Sequence, residues 1–410
     1  MWFLALRHLL TRPQQTILTF VGLIIGASGY IIITGLQLGY HDYIVDRLIN
    51  TDGHVRISPR DDYVTEKTFT DIFFTDSSVK WITPPSGRIF NSNLTNVQGW
   101  FDRLEHDPDV DSFSPQFIRN VILSKGKFSL PARFIGMDST KQSIVTNLEN
   151  DIIEGTLGSV NQGDSLIVIG DELMKKLGAK LNDTVNVVIP DGSVFPLKIT
   201  GVFRTGVKQI DAYFTYSSNA TVQKITRAPG EYSDIIVKLK NVESAQEIAS
   251  EWGKISPDKV ESWDQANENV LIVVNIQRIV KDIMSFIIIM IVAFGIYNIL
   301  NMVVNQKKRE IAILRSVGFD NKDTIMLFMY QGLIFAVVGS IAGIIVGYFG
   351  SIYMETVKVN AADGHLMIRW DIWIYIKAFL LISISSVFAS FIPARTAGRL
   401  SPIEIIRGST

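Results

Sequence analysis

Four apolar stretches, one near the start and three crowded toward the end, divide this chain unevenly. They run Pro13–Tyr40, Ile283–Gln306, Thr324–Met354 and Ile372–Ala394, the last interrupted only by Lys377. Each can cross a hydrocarbon core of about 30 Å, which takes ~20 helical residues. The long polar segment 41–282 separates the first stretch from the second. The fold class expected is an α-helical membrane protein with four transmembrane helices and a large α+β extracytoplasmic domain inserted between helices 1 and 2. The first run is longer than a signal-peptide core and no A-x-A-like site precedes His41, so it reads as a retained anchor.

Composition removes several function classes. Lys+Arg 39 against Asp+Glu 40 leaves no basic field for nucleic acid. The absence of cysteine excludes disulfides, thiolate metal sites and a cysteine nucleophile. The five histidines (His8, His41, His54, His106 and His365) form no HxxxH or HExxH pair, so no metal site is expected. No set of side chains converges as a catalytic centre would require, so no enzyme is expected either.

Basic residues beside the spans set the orientation. Arg7, His8 and Arg12 precede the first span; Lys307, Lys308, Arg309, Arg315 and Lys322 lie between the second and third; Arg395, Arg399 and Arg407 follow the fourth. The 355–371 connection instead balances Lys358 and Arg369 against Glu355, Asp363 and Asp371. The positive-inside rule puts residues 1–12, 307–323 and 395–410 in the cytoplasm and 41–282 outside. Trp2–Leu10 reads either as a short amphipathic helix at the inner headgroup level or as an ordinary start to the span.

The insert alternates β-rich and helical patterns. Strands are expected at His54–Ser58, Val121–Leu123, Arg133–Ile135, Leu166–Ile169, Thr184–Val188, Leu197–Phe203, Tyr213–Tyr216 and Asp234–Leu239. Pro190-Asp191-Gly192 predicts a hairpin turn. Helices are expected at Val97–Glu105, Gly170–Leu177 and Ser244–Lys254, and a further helix from Trp263 to Lys281 runs into the second span as a stalk. Residues 60–93 read as a surface loop.

Within the spans, Gly22, Gly26 and Gly29, then Gly332, Gly339, Gly343, Gly347 and Gly350, suit close helix packing. Asn298, Asn301 and Asn305 share one face, which should point into protein or a wet cavity. No ionisable group lies mid-bilayer, so ion coupling is poorly supported and energy must come from elsewhere.

Between the second and third spans, NQKKREIAILRSVGFDNKDTI sets an apolar stripe of Ile311, Ile313, Leu314 and Val317 beside Lys308, Arg309, Glu310 and Arg315, with Gly318 as a helix stop. This segment resembles the coupling region of MacB-type ABC transporter permeases, the superfamily that includes the lipoprotein-releasing LolC and LolE subunits and FtsX-like proteins. FLALRHLLTRPQQTILTFVGLIIGASGYIIITG, LQLGYHDYIVDRLINTDGHVRI, FIGMDSTKQSIVTNLENDIIEG, LKITGVFRTGVKQIDAYFTY and the closing FIPARTAGRLSPIEIIRG extend the resemblance over nearly the whole chain.

The resemblance implies a non-catalytic permease subunit in the bacterial inner membrane, paired with a second or homologous permease and served by two cytoplasmic ATPase subunits. No GxxxxGK[ST] loop occurs here, so ATP and Mg belong to the separate ATPase. By analogy Arg309, Glu310, Ile313, Leu314, Arg315 and Gly318 dock on the ATPase, with the tail around Pro402, Ile403 and Glu404 adding contacts. The insert is expected to split into a membrane-near part (41–114 and 229–282) and a β-rich part (115–228). The implied cargo is a lipoprotein or related acylated or secreted substrate, with Ile25, Tyr30, Ile33, Leu36, Phe286, Met290 and Tyr297 as cavity candidates. An FtsX-like regulator of an external hydrolase and a MacB-like exporter are the alternatives. A periplasmic carrier or outer-membrane partner would complete the pathway, although VVIPDGSVFPLKITG is shorter than the carrier hook of Lol C-type subunits.

Overall fold

The computed structural model describes residues 2, 3, 5, 7, 13–65, 82, 83, 85–357 and 365–399. These fall into two units, divided along the chain at Tyr43/Ile44 and again at Leu271/Ile272. The helices are α1 (Pro13–Asp52), α2 (Val97–His106), α3 (Ser139–Val145), α4 (Asp171–Leu177) and α5 (Asn219–Ile225). They continue with α6 (Ala245–Ile255), α7 (Glu268–Gln306), α8 (Lys308–Ser316), α9 (Asn321–Glu355) and α10 (Ile372–Gly398). The strands are β1 (Val55–Ser58), β2 (Asp62–Tyr63), β3 (Arg88–Ile89), β4 (Val110–Lys125), β5 (Phe128–Met137) and β6 (Ile152–Gly155). After them come β7 (Leu166–Gly170), β8 (Thr184–Val188), β9 (Val194–Phe203), β10 (Phe214–Ser218), β11 (Asp234–Leu239) and β12 (Lys259–Ser262).

Among the described residues four helices (α1, α7, α9 and α10) are long and apolar enough to cross a membrane. Small residues hold them together. A Cβ on Gly339 would lie 2.8 Å from a Leu23 carbon, and one on Gly343 would collide with Ala27. Gly347 meets Ile31 and Gly26 meets Val292 in the same way, so α1 lies tightly against both α9 and α7. Gly22 is different: among the described residues a Cβ there would meet nothing within 4 Å. The segment before α10 also rests on α1, where the Arg369 N–H donates to the Gly35 carbonyl at 3.1 Å.

The other unit is a mixed sheet with helices. β4, β5, β10, β7, β9 and β8 pair in a closed ring, since β8 bonds to both β9 and β4. Alternate residues along it, including Val121, Phe134, Ile167, Val187 and Leu197, form one core with Leu173 and Leu177 of α4. The β8–β9 hairpin turns at Pro190-Asp191-Gly192, with Gly192 at φ +86° as such a turn demands. A second core gathers Trp100 of α2 and Trp252 of α6 against Val55, Ile57, Ile235 and Val237 of β1 and β11. β4 serves both: its first half pairs with β11 and its second half with β5.

Other parts of the sequence reading meet different outcomes. Within Trp263–Lys281 the helix breaks at Asn267, after a short turn capped by Ser262 and Gln265. Most of residues 1–12 lie outside the described set, although Trp2 meets Tyr330 edge-on at 5.9 Å. In 60–93, residues 66–81 and 84 lie outside it, and the described remainder carries the short β2–β3 pair. Pro402, Ile403 and Glu404 also lie outside it.

Candidate functional site

α8 is an amphipathic helix of nine residues between two spans, and its phase decides which side chains are available. Ile311 and Ala312 are buried, Ile311 joining Val304, Phe328, Ala394 and Ala397 in a small core. The next turn faces the other way, leaving Ile313 52% and Val317 78% exposed. Ile311 therefore does not share one stripe with Ile313 and Val317. The expected stripe mixes two opposite faces, because residues two and six apart lie on different sides of a helix.

Of the coupling candidates, Arg309, Glu310, Ile313 and Gly318 are exposed, while Leu314 and Arg315 are half-buried. Arg315 points back into the bundle, where its Nη1 donates to the Gly398 carbonyl at 3.4 Å. It caps the last turn of α10, whose carbonyls otherwise lack partners. Glu310 accepts a 2.7 Å hydrogen bond from Nζ of the buried Lys307, which fixes its carboxylate at the start of α8. Gly318 adopts φ +114°, a value that favours glycine and ends the helix. Val317, outside the coupling set, is the most exposed apolar side chain beside it. It follows Ile313 by four residues, one helical turn.

The cavity candidates lie on α1 and α7. Ile25, Phe286 and Met290 are exposed, whereas Tyr30, Ile33, Leu36 and Tyr297 are half-buried. Ile272, Ile276, Ile279, Ile283, Phe286 and Met290 recur at alternating steps of four and three and are each 40–62% exposed. That spacing makes a continuous apolar seam of the a/d kind. Arg278, Lys281 and Asp282 sit beside its upper half, which marks this part of α7 as lying beyond the hydrocarbon. Asn298 and Asn305 are exposed and Asn301 half-buried, so within one chain the amide face does not enter the helix core. Within one chain that face stays open, because α1, α9 and α10 take the opposite side of α7. Val292, Ile296, Leu300 and Val304 fill that buried side.

No cluster of His, Asp or Glu able to hold a metal occurs among the described residues.

The site has relatives in known proteins. Residues 16–255 match the MacB-like periplasmic core domain, and residues 283–402 match the FtsX-like permease C-terminal domain. The lipoprotein-releasing system transmembrane protein LolC of Xylella fastidiosa is 23% identical over 98% of this chain and 98% of its own length. LolC of Neisseria meningitidis is 21% identical over 99% of this chain and 98% of its own. The macrolide export ATP-binding/permease protein MacB 2 of Aeromonas hydrophila is 21% identical over 98% of this chain and 60% of its own length.

Proposed function

This chain belongs to the ABC transporter permeases of the MacB, FtsX and LolC family, and we propose that it drives lipoproteins or related acylated substrates off the outer face of the inner membrane. It is a multi-pass membrane protein with a periplasmic domain. In the proposed arrangement both termini and α8 face the cytoplasm, where two separate ATPase subunits bind ATP and Mg. The observation that carries this reading is α8: a short helix anchored to the span ends by Ile311 and Arg315, presenting Arg309, Glu310, Ile313 and Val317 outward.

The mechanism follows from continuity. Closure of the ATPases draws α8 sideways. α7 ends two residues before α8 begins and runs unbroken for 39 residues, about 58 Å at the helical rise. A displacement at its inner end therefore reaches its outer end without an intervening loop. Arg315 and the core around Ile311 carry the same stroke to α10. The exposed seam from Ile272 to Met290 and the amide face at Asn298 supply the surface for a second permease copy or a homologous one. Amides in hydrocarbon need a partner, and apolar side chains above it need cover. The cargo's acyl chain would then lie between α1 and α7 near Ile25, Phe286 and Met290.

The FtsX-like match over 283–402 supports a second reading, in which the same stroke activates an external hydrolase without moving cargo. Crosslinking of a lipoprotein to residues of α1 and α7 favours extraction; hydrolase activation without cargo favours the other. The test of coupling is Glu310→Lys, read in the complex purified with its ATPase. Stimulation of ATP hydrolysis by the permease should fall about ten-fold while membrane insertion is unchanged. Normal transport by this variant would refute the assignment of α8.

A further inference from the structure

The periplasmic unit holds a pocket of about 170 Å³ at which donors outnumber available acceptors. It lies between one face of α2, carrying Asn96, Gly99, Trp100 and Arg103, and the turn Ile255–Pro257 that follows α6. Arg103 is the unusual member. Its guanidinium carbon sits 5.6 Å above the ring of Trp252, a side chain only 2% exposed. Its Nε is enclosed and bonds to nothing, and among the described residues the side chain has neither an ion pair nor a hydrogen-bond acceptor. An enclosed guanidinium edge without an acceptor is costly, and stacking alone does not satisfy its N–H groups.

The side-chain acceptors around it are already engaged. Asp258, on the same turn, is buried and accepts from Trp100 Nε1 at 2.8 Å and from the Thr95 N–H and hydroxyl at 3.4 Å. The Ser256 hydroxyl oxygen accepts the Asp258 N–H at 3.1 Å, which leaves its own proton free to donate. Asn96 Oδ1 accepts the Gly99 N–H at 3.0 Å, and among the described residues its amide N–H₂ has no acceptor. Arg103, Asn96 and Ser256 thus offer protons around one pocket, and its rim is apolar through Pro257 and through Ile255, 63% exposed. Side-chain donors without free side-chain acceptors select an anion, and an arginine fork suits a carboxylate. The apolar rim fits the methylene stem that carries such a group on a polypeptide.

We propose that this pocket is a docking socket for a carboxylate side chain of a polypeptide partner on the periplasmic side, with Arg103 as its anchor. The proposal is independent of which cargo the permease moves. The chain's lack of cysteine makes the test direct. A single cysteine at Ile255→Cys, labelled with an environment-sensitive dye on the full chain in nanodiscs, reports occupancy at the rim. Ac-Ala-Glu-Ala-amide should give a saturable signal, and Ac-Ala-Gln-Ala-amide should bind about ten-fold more weakly. Arg103→Gln should remove that preference, and Arg103→Lys, which keeps the charge but loses the fork, should fall between. Equal binding of the two peptides, an unaffected Arg103→Gln variant, or displacement by equimolar inorganic phosphate would overturn the proposal. If Arg103→Gln shifts the thermal transition, Asn96→Ala replaces it. Selective weakening of the glutamate peptide then supports the socket, and unchanged binding rejects it.

Discussion

The periplasmic unit and the helical unit differ in what makes their closest contacts. In the first, the enclosed side chains are large, among them Trp252, Phe117, Phe134 and Phe203. In the second, Phe328 and Phe335 are enclosed too, but the closest helix approaches are made at small residues such as Gly339, Gly343, Ala27, Ser386 and Ser390, while Ile291, Phe294, Phe388 and Ile392 face outward. The difference follows from the solvent. Water drives big apolar groups inward, whereas lipid tails give no such drive and leave close approach of backbones as the main gain. In the helical unit, glycines therefore add a kind of contact that the periplasmic cores do not rely on.

That contrast can be broken by substitution. The largest effect is expected for Phe134→Ala, which empties a fully buried site within the strand ring and should cost about 3–5 kcal/mol in thermal or denaturant unfolding. An effect below about 1 kcal/mol would mean the ring collapses onto the vacancy. Gly343→Val is the mirror experiment: the added carbon meets Ala27, and overpacking should cost about 1–3 kcal/mol. The outward-facing Ile291→Ala should leave the same transition within about 0.5 kcal/mol in detergent. Comparable losses for both variants would show that size, and not proximity, governs the helical unit.

The smallest effect concerns pH. His54 Nδ1 accepts the Leu239 N–H at 3.1 Å, which a protonated ring cannot do. Burial, then the nearby Lys238 ammonium, holds its pKa below the usual 6.5. The unfolded chain therefore binds the proton first. The stabilisation is complete above about pH 6.5 and is lost as pH falls through the folded-state value, by about 1 kcal/mol for the hydrogen bond. His54→Leu should flatten the unfolding profile between pH 7.5 and 5; an equally sloped profile would assign the effect to another group.

Legibility also differed between the units. Spans announce themselves by length and absence of charge, and short apolar strands such as Thr184–Val188 and Asp234–Leu239 by their β-branched residues. The first half of β4 did not, because Ser112, Ser114, Pro115 and Gln116 make it look like a loop. Ser114 and Gln116 are buried there only because Gln142, far along the chain, accepts from both at 3.0 Å. No local pattern reveals a partner of that kind. In the candidate site the residue types of α8 were legible but its rotation was not, since the buried side is chosen by Ala394 and Ala397 of a span more than eighty residues away. The Arg103 pocket left no sequence signal at all: it arises from two segments that meet only in the fold.

One strand deserves a mechanical reading. β4 runs for 16 residues through both cores of the periplasmic unit, bonded to β11 along one stretch and to β5 along the next. Shared in this way it is a beam with no joint at the boundary. A pull on either core loads its ladder in shear, and tightly packed interiors pass strain on instead of absorbing it.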